Sequence, residues 1–145
     1  MKFLTVIFFI LFTVALTVAD EEPEEPEGIC AEARRKSSAN DAKVKIVYEC
    51  EDDDTFVGLQ CYQHSKFCAC YSRDGQAIST ASTKLRRCEC MREADIQISK
   101  EDETYVPTCE EDGSYFPKQC DADKCWCVNS HGEKISEPTT GDIEC

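Results

Sequence analysis

The chain has 145 residues, a formal net charge of -13 and 12 cysteines. So acidic a balance excludes nucleic acid and anionic membrane as expected partners, because both select for clustered Lys and Arg. An even number of cysteines at this density points to disulfides formed in an oxidising compartment, with no free thiols.

Met1-Lys2 precede an uncharged, mostly apolar run from Phe3 to Ala19, which closes on Thr17-Val18-Ala19 with small residues where a signal peptidase reads. A membrane span needs about 20 apolar residues, and acid follows this run where a stop-transfer flank would be basic. Residues 1-19 are therefore expected to be a cleaved signal and the mature protein to be secreted, with no membrane association. Residues 20-29 follow as an acidic leader, Asp20 to Glu27 being only acid and proline. Like-charge repulsion without apolar side chains predicts disorder there, as a solvated tail or a propeptide.

All the cysteines fall between Cys30 and Cys145. From Cys30 the intervals are 19, 10, 6, 1 and 17 residues; from Cys90 they are 18, 10, 4, 1 and 17. Flanking residues keep the same register, Val47, Phe56, Gln60, Gly75 and Ile78 answering to Val106, Tyr115, Gln119, Gly132 and Ile135. A unit used twice is predicted, with only Glu89 between the copies, a connection too short to let them turn freely. Each copy is too small to bury a large core and should lean on its bridges, each contributing about 2–4 kcal/mol.

In each copy the pattern predicts a short helix, a loop and then a small antiparallel hairpin region. Ala31 to Lys36 is rich in helix formers, with Glu32 placed to pair with Lys36, and Met91, Ala94 and Ile98 follow helical spacing from Cys90. Asp52-Asp53-Asp54 and Glu111-Asp112-Gly113 read as turns before extended segments Thr55 to Cys61 and Ser114 to Cys120. Asp74-Gly75 and His131-Gly132 mark later turns, where glycine supplies positive φ. In the extended segment Cys125-Trp126-Cys127 the two cysteines face one side and the tryptophan the other, so the cysteines must find partners elsewhere. Six cysteines allow fifteen pairings, and spacing does not choose among them.

Gln119-Cys120 followed by Cys125-Trp126-Cys127-Val128, preceded by Pro107-Thr108-Cys109 and closed by Cys145, resembles the thyroglobulin type-1 module over all of Cys90 to Cys145. The resemblance implies a small disulfide-rich α+β fold of tandem modules, 30-88 and 90-145, each a short N-terminal helix plus a small antiparallel sheet with three disulfides. It implies sequential pairing: Cys30-Cys50, Cys61-Cys68 and Cys70-Cys88, then Cys90-Cys109, Cys120-Cys125 and Cys127-Cys145. The first copy is degenerate. Ala69 stands where the family has Trp, Tyr71 where it has Val and Tyr48 where it has Pro. Trp126 is expected in the core, and Phe67 or Tyr71 is expected to fill part of the volume left at Ala69. The whole chain is similar to the two-module thyropin-like proteins of spider venom glands.

No catalytic set is visible: the cysteines are expected to be oxidised, and the only histidines, His64 and His131, have no counterparts in the other copy. The same lack of matched histidines argues against a zinc site, so neither metal nor cofactor is expected. The protein is expected not to be an enzyme, and to act as a monomer.

The family resemblance implies an inhibitor of papain-like cysteine proteases that blocks the cleft with disulfide-braced loops. Carried onto this chain, the contact loops are Asn40 to Val44, Tyr62 to Phe67 and Ser79 to Lys84 in the first copy, and Lys100 to Tyr105, Asp121 to Lys124 and Asn129 to Lys134 in the second. The expected contacts are Asn40, Lys43, Val44, Tyr62, His64, Ser79 and Lys84, then Lys100, Glu103, Tyr105, Asp121, Asp123, Ser130 and His131. Lys43 and Lys45 on the first leading loop, against Glu101, Asp102 and Glu103 on the second, predict opposite fields, so that the two copies differ in preferred protease or only one inhibits. The alternative is a non-inhibitory secreted binding module or venom component acting on matrix, a growth factor or a channel.

Overall fold

The computed structural model describes residues 28–100 and 105–145; the expected signal, nearly all of the leader, and Glu103 with its neighbours lie outside the described residues. Helix α1 spans Ile29–Ser38, and α2 spans Glu89–Ile98. Strands β1 (Leu59–Cys61) and β2 (Cys68–Cys70) form an antiparallel pair, with Gln60 opposite Ala69. Strands β3 (Lys118–Asp121), β4 (Lys124–Cys127) and β5 (Thr139–Thr140) form a three-stranded antiparallel sheet, with Gln119 opposite Trp126 and Cys125 opposite Thr139. The architecture is a small disulfide-rich α+β fold.

Among the described residues, each half contains one helix, one hairpin and three disulfides. The bonds join Cys30 to Cys50, Cys61 to Cys68 and Cys70 to Cys88, then Cys90 to Cys109, Cys120 to Cys125 and Cys127 to Cys145. A bridge therefore ties each helix to the segment before its hairpin, another staples the hairpin, and the last pins the tail to β2 or β4.

The extended segments expected over Thr55 to Cys61 and Ser114 to Cys120 form regular ladders only in their later residues. Their starts make isolated bridges, Cys50 to Phe56 and Cys109 to Tyr115, because backbone partners lie in other loops. Phe56 N donates to Arg73 O at 3.0 Å, and Val57 N to Glu49 O at 2.9 Å.

Two buried glutamines hold these loops. Gln60 and Gln119 are 1% and 0% exposed, so every polar atom of their amides needs a partner. Gln60 Nε2 donates to Glu49 O and Val57 O, both at 2.8 Å, while its Oε1 accepts from Glu49 N at 3.0 Å. Gln119 repeats the pattern with Thr108 O, Phe116 O and Thr108 N, and also accepts the Tyr105 hydroxyl at 2.5 Å.

Gly75 and Gly132, at φ 87° and 85°, lie against the buried rings of Phe56 and Tyr115. A Cβ would come within 2.6 Å and 2.7 Å of those rings, so both turns need glycine for space as well as for conformation.

Glu89, expected as a linker, is the first residue of α2, so no linker separates the halves. Arg92 on α2 reaches back: its Nε donates to Tyr71 O at 2.7 Å and an Nη to Phe56 O, and burial lowers its pKa. Asp112 O accepts from Arg86 N and Arg87 N at 2.9 and 3.2 Å, and Lys84 pairs with Glu111. Gly113 permits this approach, since a Cβ there would sit 1.8 Å from Arg87 O. At the matching place in the first half Asp54, at φ 62°, turns its carboxylate onto the start of α1, accepting from Cys30 N and Ala31 N at 3.2 and 3.0 Å.

Candidate functional site: the loop edges

In the first half three loops lie side by side. Gln63 N donates to Lys45 O at 2.8 Å and Ile46 bridges Tyr62, which joins the first loop to the outgoing arm of the second. Tyr62 N donates to Phe67 O at 2.9 Å, closing that arm on its return, and Cys68 exchanges both backbone bonds with Ser82 on the third. The Cys61–Cys68 bond crosses the neck of the middle loop. Ser65 Oγ accepts from Phe67 N at 3.0 Å, and His64 takes φ 58° at the tip.

Among the expected contacts here, Asn40, Lys43, Val44 and His64 are exposed along the edge and border a concavity of about 560 Å³. Asn40 Oδ1 shapes the first loop by accepting from Ala42 N at 2.9 Å. Lys45 points back to carbonyls at the end of α1, accepting partners being Ser38 O at 2.8 Å and Asn40 O, so its charge braces the loop. Tyr62 packs against the core of Ile46, Ala69 and Tyr71. Ser79 has a structural duty, its Oγ accepting from Cys70 N at 2.8 Å, and Ser136 does the same for Cys127 N. Lys84 faces the second half through its pair with Glu111.

The second half has a shorter middle loop, the β3–β4 turn, with Asp121 and Asp123 exposed and Ala122 at φ 51°. Lys100 is exposed beyond α2, with its Nζ 3.1 Å from Gln97 Oε1. Tyr105, expected at the contact surface, is instead half-buried against Trp126, ring centroids 5.0 Å apart. Burial, with the Glu93 and Asp121 carboxylates nearby, pushes its phenol up to about 12.

Ser130 and His131 are not brought to this edge. They follow Cys127 at the far end of β4 from Asp121 and Asp123, where Tyr115 N donates to Ser130 O at 3.4 Å and Val128 bridges Lys134. The segment beside Lys124 is β5, so the third loop of this edge is built around Thr139–Thr140.

Trp126 is 6% exposed, clustered with Cys90, Tyr115 and Val128, with Lys134 Nζ 4.3 Å from its ring centroid. It is a core residue. Phe67, expected to help fill the space at Ala69, is 49% exposed; Tyr71, 7% exposed, packs there with Tyr48, ring centroids 5.6 Å apart.

The thyroglobulin type-1 repeat model matches residues 88–145, one region where two were expected. U24-ctenitoxin-Pn1a of Phoneutria nigriventer is 34% identical over 115 residues, covering 77% of this chain and 90% of that protein. The chain belongs to the thyroglobulin type-1 family. U20-hexatoxin-Hi1a of Hadronyche infensa is 30% identical over 144 residues, 94% of this chain and 98% of that protein, an extent that runs through both halves. Mouse thyroglobulin is 28% identical over 127 residues, 80% of this chain but 4% of thyroglobulin. A thyroglobulin type-1 chain with toxins among its relatives thus presents two loop edges on two braced frames. Sequence reasoning aligned Gln60 with Gln119 but missed their work; a glutamine directly before the third cysteine of each half was the available signal.

Proposed function

We propose that this protein is a secreted inhibitor of papain-like cysteine proteases, built as two thyroglobulin type-1 modules at residues 30–88 and 90–145 behind a signal (1–19) and an acidic leader (20–29). The observation that carries the reading is the bracing of the exposed loops. In each half a disulfide crosses the neck of the middle loop, and backbone bonds tie that loop to a neighbour. A loop ordered before binding loses little entropy on entering a cleft, and a braced backbone resists the distortion that cleavage requires.

The inhibitor acts as a monomer and carries no catalytic residue of its own. Its contacts come from Asn40, Lys43, Val44 and His64 on the first edge, and from Lys100, Glu103, Asp121 and Asp123 on the second. Refolded full chain titrated against papain and a cathepsin L-like enzyme should inhibit reversibly and emerge uncut, leaving pepsin unaffected. Loss of the chain to cleavage, or unchanged protease activity at micromolar inhibitor, overturns the reading. The names of the two toxins favour a second reading, a venom component that binds its target without inhibiting a protease; inactivity against every thiol protease would leave that one standing.

A further inference from the structure

Among the described residues, the large apolar side chains left at the surface are unevenly shared between the two middle loops and their neighbours, while Ile98, 70% exposed, ends α2 before Lys100. Val44 and Phe67 are 57% and 49% exposed, and both belong to the loop edge of the first half. Their segments are neighbours through the Lys45–Gln63 and Tyr62–Phe67 backbone bonds. With strands about 5 Å apart, the two backbones lie about 10 Å from each other. Exposed Lys43 and Lys66 stand immediately beside them in sequence. The matching positions in the second half are Glu103 and Lys124, and the neighbouring charges there are Asp102 and Asp123.

Phe67 is held out of the core. Tyr71 and Tyr48 occupy the space beside Ala69, while the Ser65 hydroxyl and the Cys61–Cys68 bond fix the Phe67 backbone. An aromatic ring presented on a rigid loop is the kind of anchor around which interface contacts cluster, and charges of one sign beside it steer the encounter. Among the described residues of the second edge, the β3–β4 turn is braced by the Cys120–Cys125 bond and carries Asp121, Ala122 and Asp123 without an aromatic ring.

We propose that the first half, although it lacks the tryptophan, carries the principal docking surface. Phe67 and Val44 enter an apolar subsite of the protease cleft, and Lys43 and Lys66 face carboxylates on its rim. This rests on the protease-inhibitor reading and assigns it a partner class: a papain-like enzyme whose cleft is apolar within and acidic at the border. The lysines govern encounter and the apolar pair governs residence, because long-range charge acts mainly on association and buried contacts on dissociation.

The test uses the full refolded chain against a cathepsin L-like enzyme with an acidic cleft rim. Val44→Ser with Phe67→Ser should raise the inhibition constant at least tenfold through faster dissociation, with the fold retained and the unfolding midpoint little lowered, since about half of each side chain is in solvent. Lys43→Glu with Lys66→Glu should slow association at low salt and invert its salt dependence, added salt then speeding association by screening the repulsion. Asp121→Asn with Asp123→Asn, on the lesser contact edge, should raise the inhibition constant by less than the apolar double variant does. A loss below tenfold in the apolar double variant, or a larger loss in the Asp121/Asp123 variant, overturns the proposal. Wild-type chain that inhibits no such protease fails at the earlier step and removes the inhibitor reading itself, before any variant is compared.

Discussion

The two halves share a frame and fill it differently. Around the frame glutamine the first half sets Ile46, Tyr48, Ala69 and Tyr71, whereas the second sets Tyr105, Pro107, Trp126 and Val128 at the matching positions. One half spends its volume on an indole and a tyrosine, packed 5.0 Å apart. The other spends it on two tyrosines at the flanking positions, with Tyr48 also edge-on to Phe56 at 5.2 Å. What is common is that aromatic rings close the space beside the frame glutamine, not which of the flanking positions supplies them. Close packing demands that, since a void or an excess of one side chain costs stability either way.

The sharpest way to break this comparison is to exchange the central residue. Trp126→Ala should destabilise the second half by about 3–5 kcal/mol, as expected for a truncated core aromatic. Ala69→Trp should also destabilise, by about 1–3 kcal/mol, because Tyr71 already occupies the space. Denaturant unfolding of the oxidised proteins measures both; a rise in midpoint for Ala69→Trp would mean that the first core is underfilled and the comparison false.

Next in size is the contact between the halves. Arg92→Met removes bonds from a charged donor to two backbone carbonyls and should cost about 1.5–3 kcal/mol. Its signature is separation of the unfolding transitions of the halves, followed by hydrogen exchange at Tyr71 and Trp126. A single unshifted transition would show that the two frames do not depend on this arginine.

A smaller effect is expected at the loop tips. Ala122 lies at φ 51°, where an alanine Cβ is strained, so Ala122→Gly should stabilise by about 1 kcal/mol. His64→Gly should gain less, because histidine tolerates the left-handed region better. Equal gains in thermal midpoint would contradict the difference between the tips.

The smallest expected difference concerns acid. Hydrogen bonds from the Thr55 and Ser114 hydroxyls, reinforced by the backbone N–H groups of the same residues, hold Asp53 and Asp112 below the usual carboxylate range. A carboxyl depressed on folding stabilises above its unfolded pKa and loses that contribution as pH falls through its folded one. Urea midpoints should therefore hold from neutral pH to about pH 4 and decline below it. Asp53→Asn and Asp112→Asn should each flatten the acid decline to the same degree, since the two turns are alike; unequal flattening would separate them.

Much of the frame was legible because it rests on local chemistry. Matched cysteine intervals marked two halves, Gly75 and Gly132 marked turns that need positive φ, and Glu32 was placed one helical turn from Lys36, with which it pairs at 2.6 Å. Alternation around Cys125-Trp126-Cys127 set the tryptophan on the face opposite the cysteines, and a small disulfide domain has few other large groups to bury, which put it in the core. The loop edge was legible only in part. Tyr105 and Tyr62 looked like loop residues because nothing local says that a core reaches them, and Ser130 and His131 followed a turn whose end of the strand depends on hairpin register.

Composition and spacing alone determined an acidic, oxidised, twice-built disulfide chain with a short helix and hairpin in each half, because side-chain periodicity, turn residues and cysteine intervals act over a few residues. The pairing made in each half, one of fifteen, is the one the family resemblance implied. Tertiary structure alone decided that Arg92 and Gly113 join the halves without a linker, and that Tyr71 turns inward while Phe67 stays out. Each of those depends on what lies across a gap of many residues, where burial and hydrogen-bond satisfaction choose among placements that local sequence leaves equal.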